Sequence, residues 1–185
     1  MHKFIGNNDF GSLSTGTMLN SDLIPCFVDE IERLRIANNE PEIPEIEEIK
    51  ERMEKEDYYD SEDADIDLNE VLFEKLNDYA PPFVYFGANE GDGCDFGFWI
   101  ANDSIIEHFF EDPINKAKVD RKGIIQAGEY LDPDGEYCIT VNSWNEFVKL
   151  ESVKVLDIEP HTEIVGNEMV LVHKKTIKET IWENY

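Results

Sequence analysis

The sequence predicts an α+β fold in which helices pack on a mainly antiparallel β-sheet. Two observations support this class. Segments with apolar residues at helical spacing occupy the first part of the chain, and short apolar or aromatic runs separated by turn residues occupy most of the rest. Since 185 residues suit one domain of ordinary size, we assign residues 1–185 to a single domain.

The composition combines a core with a large excess of acid. Apolar residues make up 41% of the chain, which is enough for a folded core despite a formal net charge of −26. This charge repels nucleic-acid phosphates and anionic lipids, so we expect neither direct nucleic-acid binding nor membrane binding. The isolated cysteines favour reduced thiols, and the sequence shows no secretory signal and no apolar run of membrane-spanning length. We therefore expect a cytoplasmic protein.

The clearest predicted element is a helix over residues 21–37. Ser21 is expected to cap it, with Pro25 in its first turn. Asn38 and Asn39 are expected to end it. The residues that form its apolar stripe are Leu23, Ile24, Phe27, Ile31 and Leu34.

An acidic segment follows, at 40–67, within a stretch that carries nearly half of the net charge. Residues 40–70 contain 15 acids and three bases. Residues 45–56 predict a second helix with a thin apolar stripe, which packs loosely or projects from the body. Residues 57–67 lack apolar periodicity, and we expect them to be the most mobile part of the chain.

A third helix is predicted at 68–79, capped by Asp67 and stopped by the two prolines that follow. The chain then turns to a β-hairpin between 83 and 101, with a loop of about five to seven residues around the glycine cluster. In that loop we expect Gly91 or Gly93 to adopt a positive φ.

The remaining segments predict a short helix from Ser104 to Phe110 and then β-structure. A turn is expected at 132–135, strands at 137–142 and 147–158, and a further hairpin at 163–173 that turns at 166–167. The last residues leave helix and strand both open. We expect 83–101 and 137–173 to form the sheet on which the helices pack.

The motifs with chemical potential do not add up to a catalytic or metal site. The glycine-rich segment 87–97 runs from strand to strand and carries acids, so it is not a phosphate-binding loop. The acids from Asp63 to Glu74 have the spacing of a calcium loop, but Leu68 stands where that loop needs glycine. No histidine has a convincing nucleophile beside it. We therefore predict no catalytic residue, no metal, no cofactor and no enzymatic activity.

Aromatic residues alternate across the predicted hairpin, so one set faces the core and the other is either packed or exposed for binding. An exposed set would place an aromatic surface beside the acids of the hairpin. The residues concerned are Tyr85, Phe86, Phe96, Phe98 and Trp99.

Several short motifs between about residues 10 and 100 resemble those of small uncharacterised accessory proteins of phages and mobile elements. They are the runs STGTM at 14–18, DLIP at 22–25, APP at 80–82, YFGA at 85–88, and GDG at 91–93 followed by DFGFW at 95–99. The resemblance implies no activity. It implies a setting in which acidic accessory proteins block host defence or replication by occupying a nucleic-acid-binding surface, in the cytoplasm of a host cell.

Three functional hypotheses follow. The first is a protein that binds a basic surface of a host protein, as a counter-defence inhibitor or nucleic-acid mimic. The second is a small-ligand-binding or hydrolytic enzyme that uses the 87–97 loop, and the third is a self-associating structural or regulatory component. The oligomeric state stays open, with a homodimer among the alternatives. For the first hypothesis the predicted partner-binding residues are Glu47, Glu48, Glu51, Glu54, Asp60, Glu62, Asp63, Glu90, Asp92 and Asp95.

Overall fold

A computed structural model describes residues 5, 9–165 and 168–183 of the chain. These residues form two compact units, Met1–Ala101 and Asn102–Tyr185. Each unit contains helices and one antiparallel sheet, so the predicted α+β class is confirmed. The assignment of all 185 residues to one domain stays a prediction, because compactness alone does not decide whether the two units unfold together.

The first unit contains a three-stranded sheet and a set of helices. The elements of this unit are β1 Gly11–Thr15, α1 Asn20–Asn38, α2 Pro44–Met53, a 3₁₀ turn Tyr58–Asp60, α3 Glu62–Ile66, a π-helical stretch Asp67–Leu72, α4 Phe73–Asp78, β2 Val84–Asn89 and β3 Asp92–Ile100. The sheet has the order β1-β3-β2, with both pairings antiparallel.

Helix α1 buries the predicted apolar stripe against this sheet. The ring of Phe27 lies 5.0 Å from that of Phe86 and 5.9 Å from that of Phe96, centroid to centroid. The helix begins one residue before Ser21, which does not cap it, and Pro25 lies inside the helix. Asn39 ends the helix as predicted, in the left-handed conformation that suits a C-terminal cap.

Helix α2 corrects the expectation of loose packing. Ile46 and Ile49 are both 0% exposed, so a stripe of two isoleucines is enough to fix this helix to the core. The thin stripe reflects how little of the helix surface faces the core, and the charged remainder stays in water.

The segment after α2 is also more structured than its sequence indicates. Tyr58 and Ala64 are buried within helical turns, and Ser61 caps α3 by accepting a hydrogen bond from the backbone N–H of Ala64. The prediction that Asp67 caps a helix is therefore wrong. The helical path already starts at Glu62 and runs through Asp67, whose buried carboxylate has other partners.

The predicted hairpin is confirmed, but its loop is shorter than expected. β2 and β3 are joined at Glu90 and Gly91, and the pairing reaches Asn89 and Asp92. Neither Gly91 nor Gly93 has a positive φ, so that prediction is wrong. Pairing continues to the turn because local hydrogen bonds fold it tightly: the side-chain oxygen of Asn89 accepts from the N–H of Gly91, and Asp92 accepts from Cys94.

The second unit packs a helix on a four-stranded antiparallel sheet. The elements of this unit are α5 Asn102–Phe110, α6 Pro113–Lys116, β4 Gly128–Leu131, β5 Tyr137–Val141, β6 Phe147–Val165 and β7 Glu168–Glu183, and the strand order is β4-β5-β6-β7. Phe110 of α5 contacts Tyr130 at 4.9 Å between ring centroids. The turn predicted at 132–135 is confirmed by a backbone hydrogen bond from Gly135 to Asp132.

Two expectations about the sheets are corrected. The segments 83–101 and 137–173 belong to two separate sheets. In the first unit β1 pairs with β3, and in the second unit β5 pairs with β6, so each hairpin is extended by a strand of its own unit. Residues 147–158 and those from 163 onward belong to longer strands, in which the register shifts between Asp157 and His161 and so accommodates Pro160. The predicted turn at 166–167 lies outside the described residues, and the open C-terminal segment is strand through Glu183.

Candidate interaction surface

The acids of α2 point away from the core because the buried isoleucines fix the rotation of the helix. Ile46 and Ile49 face inward, whereas Glu48 and Glu51 are exposed. Glu47 is half-buried beside Lys50. The helix thus holds two of its predicted contact residues in water and one at the edge of the packed face.

The two bases of α2, Lys50 and Arg52, both contact acids of the first unit. The ammonium of Lys50 lies 2.7 Å from a carboxylate oxygen of Glu47 and 3.2 Å from one of Glu32. The guanidinium of Arg52 donates two hydrogen bonds of 2.8 Å to Asp67. The hydrogen bond to Asp67 raises the pKa of Arg52, which stays fully charged.

Asp67 is the buried anchor of the segment that follows α2. Its carboxylate accepts the two bonds from Arg52 and a third, of 2.7 Å, from the hydroxyl of Tyr58. Its side chain is 6% exposed, and such a buried carboxylate requires this degree of pairing. The network joins α2, the 3₁₀ turn and the π-helical stretch, and so fixes the backbone between them.

The remaining predicted acids of this segment lie on that fixed backbone. Glu54, Asp60, Glu62 and Asp63 are all exposed. Asn20 of α1 adds a further tie, since its amide donates to the carbonyl oxygen of Tyr59 at 3.2 Å. We call the seven predicted acids of α2 and the following turns the acidic surface; they are Glu47, Glu48, Glu51, Glu54, Asp60, Glu62 and Asp63.

The electrostatic consequence is a concentration of negative charge with few cations to neutralise it. Of the three bases in residues 40–70, Lys50 and Arg52 are engaged by the pairs just described. Arg52 also approaches Glu48, but at 3.7 Å, and exposed pairs of this kind contribute little. In all, the first unit carries 25 acids and seven bases, whereas the second carries 17 acids and nine bases.

The three predicted acids of the hairpin lie on a separate element and do not behave alike. Glu90 and Asp92 are exposed at the tight turn. Asp95 lies within β3, opposite Thr15 of β1, and is half-buried. One of its carboxylate oxygens is buried without a hydrogen-bond partner among the described residues. Asp95 is therefore less suited to a partner contact than the other two.

The aromatic residues of the hairpin divide between its two faces. Phe86, Phe96 and Phe98 are buried, which favours the core-packing alternative for this set. Tyr85 and Trp99 pair across the strands and are half-buried. The indole N–H of Trp99 donates to the carbonyl oxygen of Gly87 at 3.0 Å. This face gives little support to an aromatic binding surface.

A shallow cavity of about 180 Å³ lies between β1 and α1. It is smaller than the several hundred Å³ that small-molecule sites enclose, and none of its lining residues belongs to 87–97. Arg33 lies in its wall and is hydrogen-bonded to Glu30 at 2.7 Å and Asp9 at 2.8 Å. The cavity therefore gives no support to an enzyme that uses the 87–97 loop.

One polar side-chain contact in the second unit was not expected from the sequence. The Nε2 atom of His108 lies 3.1 Å from Asp132, which is buried and also accepts from the backbone N–H of Tyr137. The contact links α5 to the turn between β4 and β5. An aspartate that opens a turn before proline was the available signal, but its distant histidine partner was not predictable.

Among the described residues, no group of three or more histidine, cysteine, aspartate or glutamate side chains is arranged to hold a metal ion. No described helix is both long and apolar enough to cross a membrane.

Comparisons with protein-family models, curated proteins and solved structures gave no match for this chain.

Proposed function

We propose that the chain acts by binding a basic surface of another protein through its acidic surface. The interaction is driven by long-range attraction between the carboxylates and the cations of the partner. Such attraction speeds encounter and depends strongly on ionic strength. The partner class is thus a protein with a groove or patch rich in lysine and arginine.

The observation that carries this proposal is the combination of a fixed backbone with exposed carboxylates. Ile46, Ile49 and the Arg52–Asp67–Tyr58 network hold the segment in place. Six of the seven acids that it presents are exposed. Because charges on an ordered backbone lose less conformational freedom on binding than charges on a disordered tail, this arrangement favours specific association.

The resemblance to accessory proteins of phages and mobile elements supplies a setting for this activity. In that setting the partner is a host protein that binds nucleic acid, and the acidic surface replaces the phosphates as a counter-defence inhibitor or mimic. Phosphates lie at regular intervals along nucleic acid, and a basic groove recognises them mainly by charge. The proposal rests on the acidic surface, and the setting identifies where to look for the partner.

The experiment compares capture of host proteins by three immobilised forms of the chain. The first is the wild type, and the second has all seven acids of the acidic surface replaced by Gln or Asn. The third is a matched control that loses seven exposed acids elsewhere: Glu70, Glu74, Asp103, Glu107, Glu111, Asp134 and Glu136.

We expect a basic protein to be retained by the wild type and the control, to be absent from the seven-acid variant, and to be released by added duplex DNA. Equal retention by all three forms would contradict a role for the acidic surface. Loss of retention by both variants would indicate that total charge matters and its position does not.

A further inference from the structure

A basic segment lies in the second unit, between α5 and β4. Residues 113–126 contain four bases and one acid, whereas the whole chain has a net charge of −26. All four bases are exposed. Among the described residues, none of the four forms an ion pair with an acid, whereas seven other bases do. The four bases are Lys116, Lys118, Arg121 and Lys122.

The backbone that carries these bases is fixed by a tight turn. The carboxylate of Asp120 accepts hydrogen bonds of 2.7 and 2.9 Å from the backbone N–H groups of Lys122 and Ile124. The flanking residues pair across the turn, since Val119 forms a β-bridge with Ile125. The one acid of the segment thus holds the turn together, and the four cations stay exposed around it.

An exposed tryptophan lies beside this turn. Trp144 is 79% exposed, which is unusual for so large an apolar side chain. Its backbone is held by Asn142, whose side-chain oxygen accepts from the N–H groups of Trp144 and Glu146 at 2.9 and 3.0 Å. A hydrogen bond of 2.6 Å from the N–H of Ile125 to the side chain of Asn145 joins the two turns. We call the four bases and Trp144 the basic patch.

We propose that the basic patch binds single-stranded nucleic acid, with its cations on the phosphates and the indole of Trp144 stacked on an unpaired nucleobase. Proteins that bind single strands combine these two elements, since cations follow the backbone of the strand and aromatic side chains stack on its nucleobases. Two hydrogen-bonded turns present both elements here on an ordered backbone, which limits the conformational freedom lost on binding. This site does not depend on the acidic surface, which lies in the first unit.

The net charge of the chain selects a flexible strand as the ligand. It repels phosphates at long range, which is why composition alone predicts no nucleic-acid binding. At about 0.1 M salt, charges more than about 10 Å apart are largely screened, so the local cations decide what binds at the patch. A single strand contacts the patch with a few nucleotides and leads the others away from the acids. A duplex is too rigid for this, and an anionic membrane is a continuous plane of charge.

The stacking contact is tested by a variant that leaves the net charge unchanged. Fluorescence anisotropy of labelled strands of about ten nucleotides measures their binding to the full chain. We expect Trp144→Ala to raise the dissociation constant about tenfold or more, and Trp144→Phe to retain most of the affinity, because a phenyl ring also stacks on nucleobases. Binding of a duplex of the same length as tightly as the single strand would contradict stacking, since its nucleobases are already paired.

The phosphate contacts are tested by two variants of equal net charge. The patch variant replaces three cations by Gln, at Lys118, Arg121 and Lys122. The control replaces three exposed lysines elsewhere by Gln, at Lys55, Lys174 and Lys175. Because the long-range repulsion is raised equally in both, the difference between them measures the local contact. We expect the patch variant to lose affinity about tenfold or more relative to the control.

Oligothymidylate and oligouridylate are both used as probes. The strand bound more tightly identifies DNA or RNA as the ligand, and equal affinity assigns the site to single strands of either kind. Absence of binding to both at about 100 μM protein, or equal losses in the patch variant and the control, would overturn the proposal. Binding to vesicles that contain phosphatidylserine, with no binding to either strand, would also overturn it and would assign the patch to a lipid surface.

Discussion

At Gly97, β1 and β3 lie too close together to admit a side chain. A Cβ atom at this position would collide with the carbonyl oxygen of Gly11 and lie 2.7 Å from its carbon. We expect Gly97→Ala to lower the free energy of unfolding by about 2 kcal/mol, because the two backbones must separate to admit the methyl group. Urea unfolding of this variant and of Gly93→Ala checks the prediction.

Gly93 is a suitable control because nothing lies within 4 Å of a Cβ built there and its φ is not positive. Its substitution should cost less than about 0.5 kcal/mol. Equal stabilities of the two variants would contradict the close approach of the strands.

The hydroxyl of Tyr58 makes the free energy of unfolding depend on pH in the alkaline range. Burial, followed by the hydrogen bond to Asp67, raises the pKa of Tyr58 above its ordinary value of about 10. Above pH 10 the unfolded tyrosine loses a proton that the folded one keeps, so its contribution to stability is complete below about pH 10 and declines as the pH rises.

We therefore expect the free energy of unfolding to fall more steeply between about pH 10 and 11 in the wild type than in Tyr58→Phe. The difference in slope should approach about 1.4 kcal/mol per pH unit. Guanidinium unfolding at several pH values measures both slopes, and parallel curves would show that Tyr58 keeps no proton that the unfolded chain loses.

At the scale of elements, α2 separates the residues that hold the fold from those proposed to bind. Replacing the seven acids of the acidic surface by Gln or Asn should leave the free energy of unfolding unchanged or raise it, because exposed like charges oppose folding. Ile49→Ala should instead lower it by about 2–4 kcal/mol, since Ile49 is completely buried. Thermal and urea unfolding of both variants test this separation, and a marked loss of stability in the seven-acid variant would contradict it.

The best-predicted elements are those in which a periodic pattern of apolar residues indicates which side chains are buried. The stripe of α1 and the two runs of the hairpin have clear periodicity, and both elements appear near their predicted bounds. Asp67 shows why other predictions failed. Its residue type suits a cap, but its role depends on Arg52, which lies 15 positions earlier and contacts it only in the folded chain.

The acidic surface was predictable only in part. An excess of acid is visible in the composition, and six of the seven acids assigned to α2 and the following turns are indeed exposed. The order of their backbone was not predictable, because it depends on Tyr58 and Ala64, which form no periodic stripe. The partial burial of Asp95 was not predictable, because β1, which pairs beside it, has only a weak strand signal in sequence.

At the scale of the whole molecule, the first unit encloses a core of its own. All the buried members of that core lie between Ile5 and Phe98. We therefore expect a fragment of residues 1–101 to fold and to unfold cooperatively, because it retains the contacts of that core. Dispersed amide NMR signals and a single urea transition would support this, whereas an unfolded fragment would favour one cooperative domain of 185 residues.

The proposed function also belongs to the whole molecule, since charge acts over distances longer than a contact. If the acidic surface steers association, its neutralisation should slow the association rate about tenfold or more at low salt and change dissociation much less. Rising ionic strength should then slow the wild type more than the variant, because the variant has less attraction to screen.

The most direct test is the association rate with the captured partner, measured against ionic strength for the wild type and the seven-acid variant. Steering by the acidic surface predicts a steep negative slope for the wild type and a shallow one for the variant, with the two rates converging at high salt. Equal slopes would contradict it and would leave solubility as the role of the charge.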